Sequence, residues 1–317
     1  AAARAERALA GELRADTSQR AVEASRTVMS QTESAMSDAE NLLQEAREGI
    51  VAAGNASYSD AERSALAAKL RAIRTQLLGV ANRTDGAGTY LFGGQSASAV
   101  PFVDAAGGVA YQGLSGDVRT EGGTDLPLSA DGSSIFMSAR TGNGVFVTSA
   151  APGVSGAWID NGQVSDPAAL TGSTYTLQFS VTAGATTYAV LRDGNPTAVT
   201  AAPYTSGQDI TVDGMTFRVS GTPAAGDSFT VAPSSSTLSI FDTLDRAVAQ
   251  LATGGRSTAQ IAQGNTDALR DIDQSMAQLQ GARAVAGEML VRIEGETSRL
   301  ADQKLAAQEQ RASAEDL

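Results

Sequence analysis

Val22, Met29, Met36, Leu43 and Ile50 stand seven residues apart, and their companions Ser25, Thr32, Ala39, Ala46 and Ala53 are small. Alternating steps of three and four keep such residues on one stripe of an α-helix, so the pattern demands a long helix with a buried seam, as in a coiled coil or bundle. Unbroken to Ala53, that helix is roughly 75 Å long. Gly54-Asn55 supplies a stop, and Ser59 or Asp60 supplies an N-cap for a second helix. The stripe of that helix is Leu66, Leu70, Ile73, Leu77 and Val80.

The end of the chain repeats the design. Leu269, Ile272, Met276, Leu279, Ala286, Leu290, Ile293 and Leu300 follow one another at three, four or seven residues. Arg283 and Thr297 occupy two positions of this seam, where they weaken it locally or face a partner. Helices this long exceed the usual ~12 residues and suit an extended rod, with a plain antiparallel bundle as the other reading.

Between the helical ends the composition changes. All eight prolines lie between Tyr90 and Pro233, among Gly, Thr and Val. The run Asp209 to Val219 is broken by Asp213-Gly214, a pair suited to a type I′ turn. With those two as the loop, Val212 faces Met215 and Ile210 faces Phe217 on a buried face, while Thr211, Thr216 and Arg218 point away. Asp193-Gly194 repeats the device within Tyr188–Val199, and Thr174–Val181 and Ser228–Val231 read as further strands. Trp158, the only tryptophan, is expected to anchor the core of this region. The fold class is therefore α+β: a long antiparallel helical rod formed by both chain ends, residues 1–89 and 237–317, with an inserted, mainly antiparallel β domain at 90–236.

The chemistry open to the chain is narrow. Among 317 residues there is no histidine and no cysteine, which excludes a Ser-His-Asp triad, thiol nucleophiles and the commonest metal ligands. No catalytic, cofactor or metal site is indicated. Asp209 and Asp213 are the best acid–base candidates, yet both sit at ends of a hairpin strand, where Asp is ordinarily a turn or solvated residue. A net charge of −12 repels phosphate and anionic lipid, so neither nucleic acid nor membrane is an expected partner. No apolar run approaches the ~18 residues of a membrane span.

One ordered set of residues says more. Asn82 after Leu77-Leu78-Gly79, then Tyr90-Leu91-Phe92-Gly93-Gly94, Pro101-Phe102 and Tyr111-Gln112-Gly113 resemble the signature of the flagellar hook-associated protein 3 family, within the wider flagellin family. In that pattern a long helix ends in an Asn-containing turn and a Tyr-Leu-Phe strand follows. Pro223-Ala224-Ala225-Gly226-Asp227-Ser228-Phe229 and Ile240-Phe241-Asp242-Thr243-Leu244 are similar to family segments before the returning helix, and Leu300–Leu317 resembles a flagellin-type final helix.

The resemblance implies a structural subunit and not an enzyme, exported through the flagellar type III channel and located outside the cell at the hook–filament junction. Its implied partners are hook-associated protein 1, flagellin, its own copies in a ring, and an export chaperone on the last helix. Family chains carry a further amphipathic segment at each end. Ala1 and Leu317 fall short of these, so the terminal assembly segments are expected to be missing and the chain to be monomeric in isolation. A surface adhesin or phage-tail-like protein with a ligand-recognising β domain is the rival reading.

Overall fold

The computed structural model describes residues 2–55, 57–96, 98–120 and 125–315. The chain forms two compact units. Unit 1 gathers Ala1–Glu40, Leu78–Ile135 and Leu279–Leu317, and unit 2 gathers Asn41–Leu77 and Phe136–Gln278. Helices α1 (Ala2–Ala53), α2 (Asp60–Ala81) and α5 (Thr258–Glu315) contribute residues to both. The expected α+β class holds, with long helices at the chain ends and antiparallel strands between.

Local chemistry sets the helix ends. Gly54 follows the last residue of α1, and Ser59 opens α2 with a reciprocal box. The Ser59 N–H donates to Glu62 Oε2 at 2.7 Å, and the Glu62 N–H donates to Ser59 Oγ at 3.3 Å, which satisfies two otherwise orphaned donors.

In unit 1, β1 (Phe102–Ala105) and β2 (Gly108–Tyr111) form an antiparallel hairpin that returns toward the short helix α3 (Gly132–Phe136). In the same unit α1 and α5 run antiparallel. Ion pairs mark the register: Glu12 with Arg311 at 2.8 Å, Asp16 with Lys304 at 2.6 Å and Glu33 with Arg283 at 2.7 Å.

Unit 2 carries the other strands: β3 (Phe146–Ala150), β4 (Ala157–Ile159), β5 (Gln163–Val164), β6 (Tyr175–Thr182), β7 (Ala185–Arg192), β8 (Asn195–Pro196), β9 (Ala202–Pro203), β10 (Asp209–Val212), β11 (Met215–Gly221) and β12 (Ser228–Pro233). One sheet runs β3-β12-β6-β7-β8 with β9 on β7; the other runs β10-β11-β4 with β5 on β11. The β10–β11 hairpin has the expected register, Ile210 opposite Phe217 and Val212 opposite Met215. Asp213 and Gly214 take φ of 41° and 80°, as a type I′ turn requires. Asp193 and Gly194, at 49° and 79°, turn β7 into β8 in the same way.

The unit 2 core is aromatic and β-branched. Tyr175, Phe179, Phe217, Val219, Phe229 and Val231 are buried together, with Phe179 edge-on to Phe229 at 5.7 Å. Trp158 departs from expectation. On β4 it is Ala157 and Ile159 that face the core, and Trp158, between them, is only half-buried on the opposite face. Strand alternation decides this: two core positions flank the tryptophan. The α4 helix (Ile240–Ala252) is capped by Ser239, and Ile240, Phe241, Thr243 and Leu244 are buried.

Candidate functional site

The seam residues expected on the long helices are placed as follows. On α1, Val22, Met29 and Met36 are buried in unit 1, and Leu43 and Ile50 are buried in unit 2. The companions Ser25, Thr32, Ala39, Ala46 and Ala53 are buried as well, so both lines of the heptad are closed to water. Each large side chain on that seam contributes about 1.5–3 kcal/mol by leaving water. Ser25 offsets its polarity by donating to Pro127 O at 2.7 Å.

The α5 residues separate into two lines. Ile272, Leu279, Ala286, Ile293 and Leu300 are buried, whereas Leu269, Met276 and Leu290 are half-buried. Arg283 and Thr297 fall on the second line, which a polar residue can occupy because it borders water. Arg283 reaches Glu33 at 2.7 Å and also Glu40, and Gln280 donates to Glu40 at 2.8 Å. Of the two roles open to Arg283, it takes the second, with carboxylates of α1 as its partner. The Gln280 hydrogen bond, aided by Arg283 and opposed by burial, holds the Glu40 carboxyl below its ordinary range.

The remaining motif residues form a knot after α2 in unit 1. The Pro101 carbonyl accepts from Gln112 N–H at 2.7 Å, which leaves the Phe102–Tyr111 pair without hydrogen bonds of its own. The Phe102 backbone therefore points away from β2. Asn82 takes it: its Nδ2 donates to Phe102 O at 2.8 Å, and its Oδ1 accepts from Phe102 N–H at 3.0 Å. The amide stands where a neighbouring strand would otherwise stand. Phe102 packs on Tyr111 at 5.1 Å, and the Tyr111 hydroxyl donates to Phe92 O at 3.1 Å. Burial, and then the negative charge of Asp131, pushes Tyr111 up to about 12.

Pro101, Leu91, Phe92, Gly93 and Gly94 are buried and Tyr90 is half-buried. The expected Tyr90–Gly94 strand does not form. Tyr90 makes an isolated bridge to Thr84, Gly93 to Asp131 and Gly94 to Leu114. Leu91 N–H donates to Arg83 O while Leu91 O accepts from Ala130, so successive residues bond to different segments and no ladder can propagate. Gly94 has φ 61°, and a Cβ there would lie 2.0 Å from Leu114 O. A Cβ on Gly113 would lie 2.4 Å from the Tyr111 ring. Both positions are closed to any side chain.

Two contributors to this knot carry no sequence signal. Ser129, fully buried, donates to Gly94 O at 2.8 Å and accepts from Val118 N–H at 2.8 Å. Asp131 accepts from Gly116 N–H at 3.1 Å and Ser133 N–H at 3.0 Å. In unit 2 the buried Arg270 also carries no sequence signal. It donates to Asp271 at 2.9 Å, Asp267 at 3.0 Å and the Thr148 carbonyl of β3 at 3.1 Å. An Asp-rich helix stretch reads as a solvated face until the strand beside it is known.

The two carboxylates weighed as acid–base candidates are engaged in the hairpins. Asp209 pairs with Arg218, and Asp213 pairs with Arg192 and accepts from the buried Tyr175 hydroxyl. Among the described residues no group of three or more acidic side chains could hold a metal ion.

Residues 1–97 match the model of the bacterial flagellin N-terminal helical region, and residues 150–233 match that of the flagellar hook-associated protein 1 D2-like domain. Flagellar hook-associated protein 3 of Salmonella typhimurium is 41% identical over 97 residues, 30% of this chain and 30% of that one. The chain thus matches about 30% of the length of that curated relative. Solved structures match far more. FlgL of Xanthomonas campestris is 30% identical over 97% of this chain and 99% of its own, with a TM-score of 0.86. The flagellar junction protein FlgL of Legionella pneumophila is 28% identical over 87% and 94%, with a TM-score of 0.80. These relatives are structural proteins of the flagellum, and the likeness gives the adhesin or tail-fibre reading no support.

Proposed function

Because this chain belongs to the flagellar hook-associated protein 3 family, we propose that it is a structural subunit joining hook-associated protein 1 to the flagellin filament, with no catalytic step of its own. The observation that carries the reading is the likeness to a solved FlgL over nearly the whole of both chains. The place of action is the flagellum, outside the cell, reached by type III export.

In this reading residues 1–89 and 237–317 carry axial packing, and the insert at 90–236 is displayed outward. The seam of Val22, Met29, Met36, Leu43 and Ile50 with Leu269, Ile272, Met276, Leu279, Leu290 and Ile293 keeps the long helices straight enough to stack. The knot of Asn82, Tyr90 to Gly94, Pro101, Phe102, Tyr111 and Gly113 fastens the chain as it leaves α2. Copies of the subunit form a ring, hook-associated protein 1 lies on one side and flagellin on the other, and an export chaperone holds the final helix before assembly.

The physical fit is that load passes along close-packed helices and needs no mobile catalytic group. Deleting the gene is expected to leave hooks bare, with flagellin released to the medium, and a plasmid copy is expected to restore filaments and motility. Normal filaments on the hooks of the deletion strain would overturn the proposal.

A further inference from the structure

Three exposed leucines of unit 1 lie close to one level on the antiparallel pair of α1 and α5. Leu9 and Leu13 on α1 are 43% and 58% exposed, and Leu305 on α5 is 56% exposed. The buried residues beside them are Ala8 and Ala15 on α1, and Leu300 and Ala314 on α5. Leu13 stands five residues beyond Ala8, and Leu305 five beyond Leu300. Five residues turn a helix by about 140°, so both leucines point away from the shared seam, on opposite sides of the pair. The Asp16–Lys304 ion pair at 2.6 Å fixes their level: Leu305 follows Lys304, and Leu13 comes less than a turn before Asp16.

The charges around these leucines differ in sign. From residue 4 to 20 of α1 the exposed charged residues are Arg4, Glu6, Arg7, Arg14 and Arg20. The other acids there, Glu12 and Asp16, are half-buried and tied to Arg311 and Lys304. From residue 300 to 310 of α5 the exposed charged residues are Asp302 and Glu309. Arg14 and Arg20 form no ion pair among the described residues; their Nε atoms donate to carbonyls of their own helix, at Ala10 and Asp16. The α1 face is thus basic and the α5 face acidic. Either face set against itself would oppose like charges, whereas one set against the other joins opposite charges over the leucines.

We propose that the outward face of α1 at Leu9 and Leu13 in one copy packs against the outward face of α5 at Leu305 in the next copy, with Arg14 and Arg20 beside Asp302. The proposal rests on the ring of copies given above and names the surface that closes it. Such a contact uses two different patches, so copies add head to tail, and a rotation that closes makes a ring. A ring without axial rise brings together faces at the same level, as these are. Three leucines make a face well below the ~1,200 Å² of a stable pair. The contact therefore joins copies already held side by side and leaves free chains single.

The test uses the full-length protein in the deletion strain. The chain has no cysteine of its own, so Leu13→Cys and Leu305→Cys each add a single thiol to it. The two variants are expressed singly and together, and isolated flagella are treated with a short bis-maleimide. Co-expression should give linked dimers, and neither variant alone should. At equal expression about one head-to-tail interface in four joins the two cysteines. Arg20→Glu should lower motility, and Asp302→Arg in the same chain should restore it. Dimers from either variant alone, no dimers from the pair, or no rescue by the charge exchange overturns the proposal. If the variants do not assemble, electron cryo-microscopy of wild-type junctions decides the matter. Neighbouring copies that abut at Leu13 and Leu305 support the contact, and either face left open or covered by another protein overturns it. Normal filaments in the deletion strain would remove the ring reading and this proposal with it, whereas bare hooks with a different contact in the map would remove this proposal alone.

Discussion

Replacing Asn82 with Ala removes one side chain and exposes how the chain leaving α2 is held. Its amide meets both backbone groups of Phe102, at 2.8 and 3.0 Å, and Phe102 is only 1% exposed. The hairpin register turns those groups away from β2, so no strand can take over. Each buried polar group left without a partner costs about 1–3 kcal/mol. Asn82 itself is half-buried, and water will recover part of the loss. The expected cost of Asn82→Ala is therefore about 2–4 kcal/mol, a large share of a typical total stability of about 5–15 kcal/mol. Asn82→Asp sharpens the test. It keeps the acceptor for Phe102 N–H but sets a carboxylate against Phe102 O, which favours the protonated acid in the folded state. A folded-state pKa raised in this way gives stability that is present below the unfolded value and lost as pH rises through the folded one. The variant should therefore approach wild type in acid and fall furthest behind at neutral pH. Urea unfolding followed by far-ultraviolet circular dichroism gives the free energies. Fluorescence of Trp158, which lies in unit 2, reports that unit separately. An Asn82→Ala protein within 0.5 kcal/mol of wild type at an unchanged m-value would refute the argument.

Four further expectations test other parts of the account. Arg283→Met should cost about 1 kcal/mol, since its pairs with Glu33 and Glu40 are partly exposed and screened, and a double-mutant cycle with Glu33→Gln reads the coupling. Glu40 has a lowered pKa, so its contribution is present above the ordinary carboxylate value and lost as pH falls through the folded one; Glu40→Gln should trail wild type at pH 6 and converge with it in acid. A Cβ at Gly281 or Gly295 meets nothing within 4 Å, so alanine at either should raise stability by about 0.5–1 kcal/mol, whereas Gly94→Ala should lower it by more than that gain, as paired melts will show. Tyr111, raised to about 12, contributes stability that is full below the ordinary tyrosine pKa and lost as pH climbs through about 12; absorbance titration at 295 nm should find it among the last tyrosines to ionise, and Tyr111→Phe should remove that step.

Much of the fold could be read from local rules. The long helix α1, the Ser59 cap and the I′ turns at Asp213 and Asp193 each depend on residues within a few positions of one another, and each is present in the structure. The family was legible too, because Asn82, Tyr90 to Gly94 and Tyr111 keep a recognisable order. The fates of those motif residues were less so. Leu91 and Phe92 have strand-forming side chains, yet their backbones bond to Arg83, Ala130 and Gly132, which lie up to 40 positions away. Propensity cannot report a partner at that distance. The buried Ser129 and Arg270 were invisible for the same reason: a polar residue is read as exposed until the carbonyl it serves is located.

By itself, the sequence determined that the chain ends in long helices, that each carries an apolar seam, and that strands turn at Asp-Gly pairs between them. Periodicity and turn chemistry are properties of neighbours, and neighbours are written in order. Tertiary structure alone decided that Ile272, Leu279, Ala286, Ile293 and Leu300 form the buried line of α5, that Arg283 serves Glu33 and Glu40, and that Trp158 stands outside the core. Those outcomes depend on which surface meets each residue, and that surface is supplied by segments far off in the chain, 250 positions away for Arg283 and Glu33.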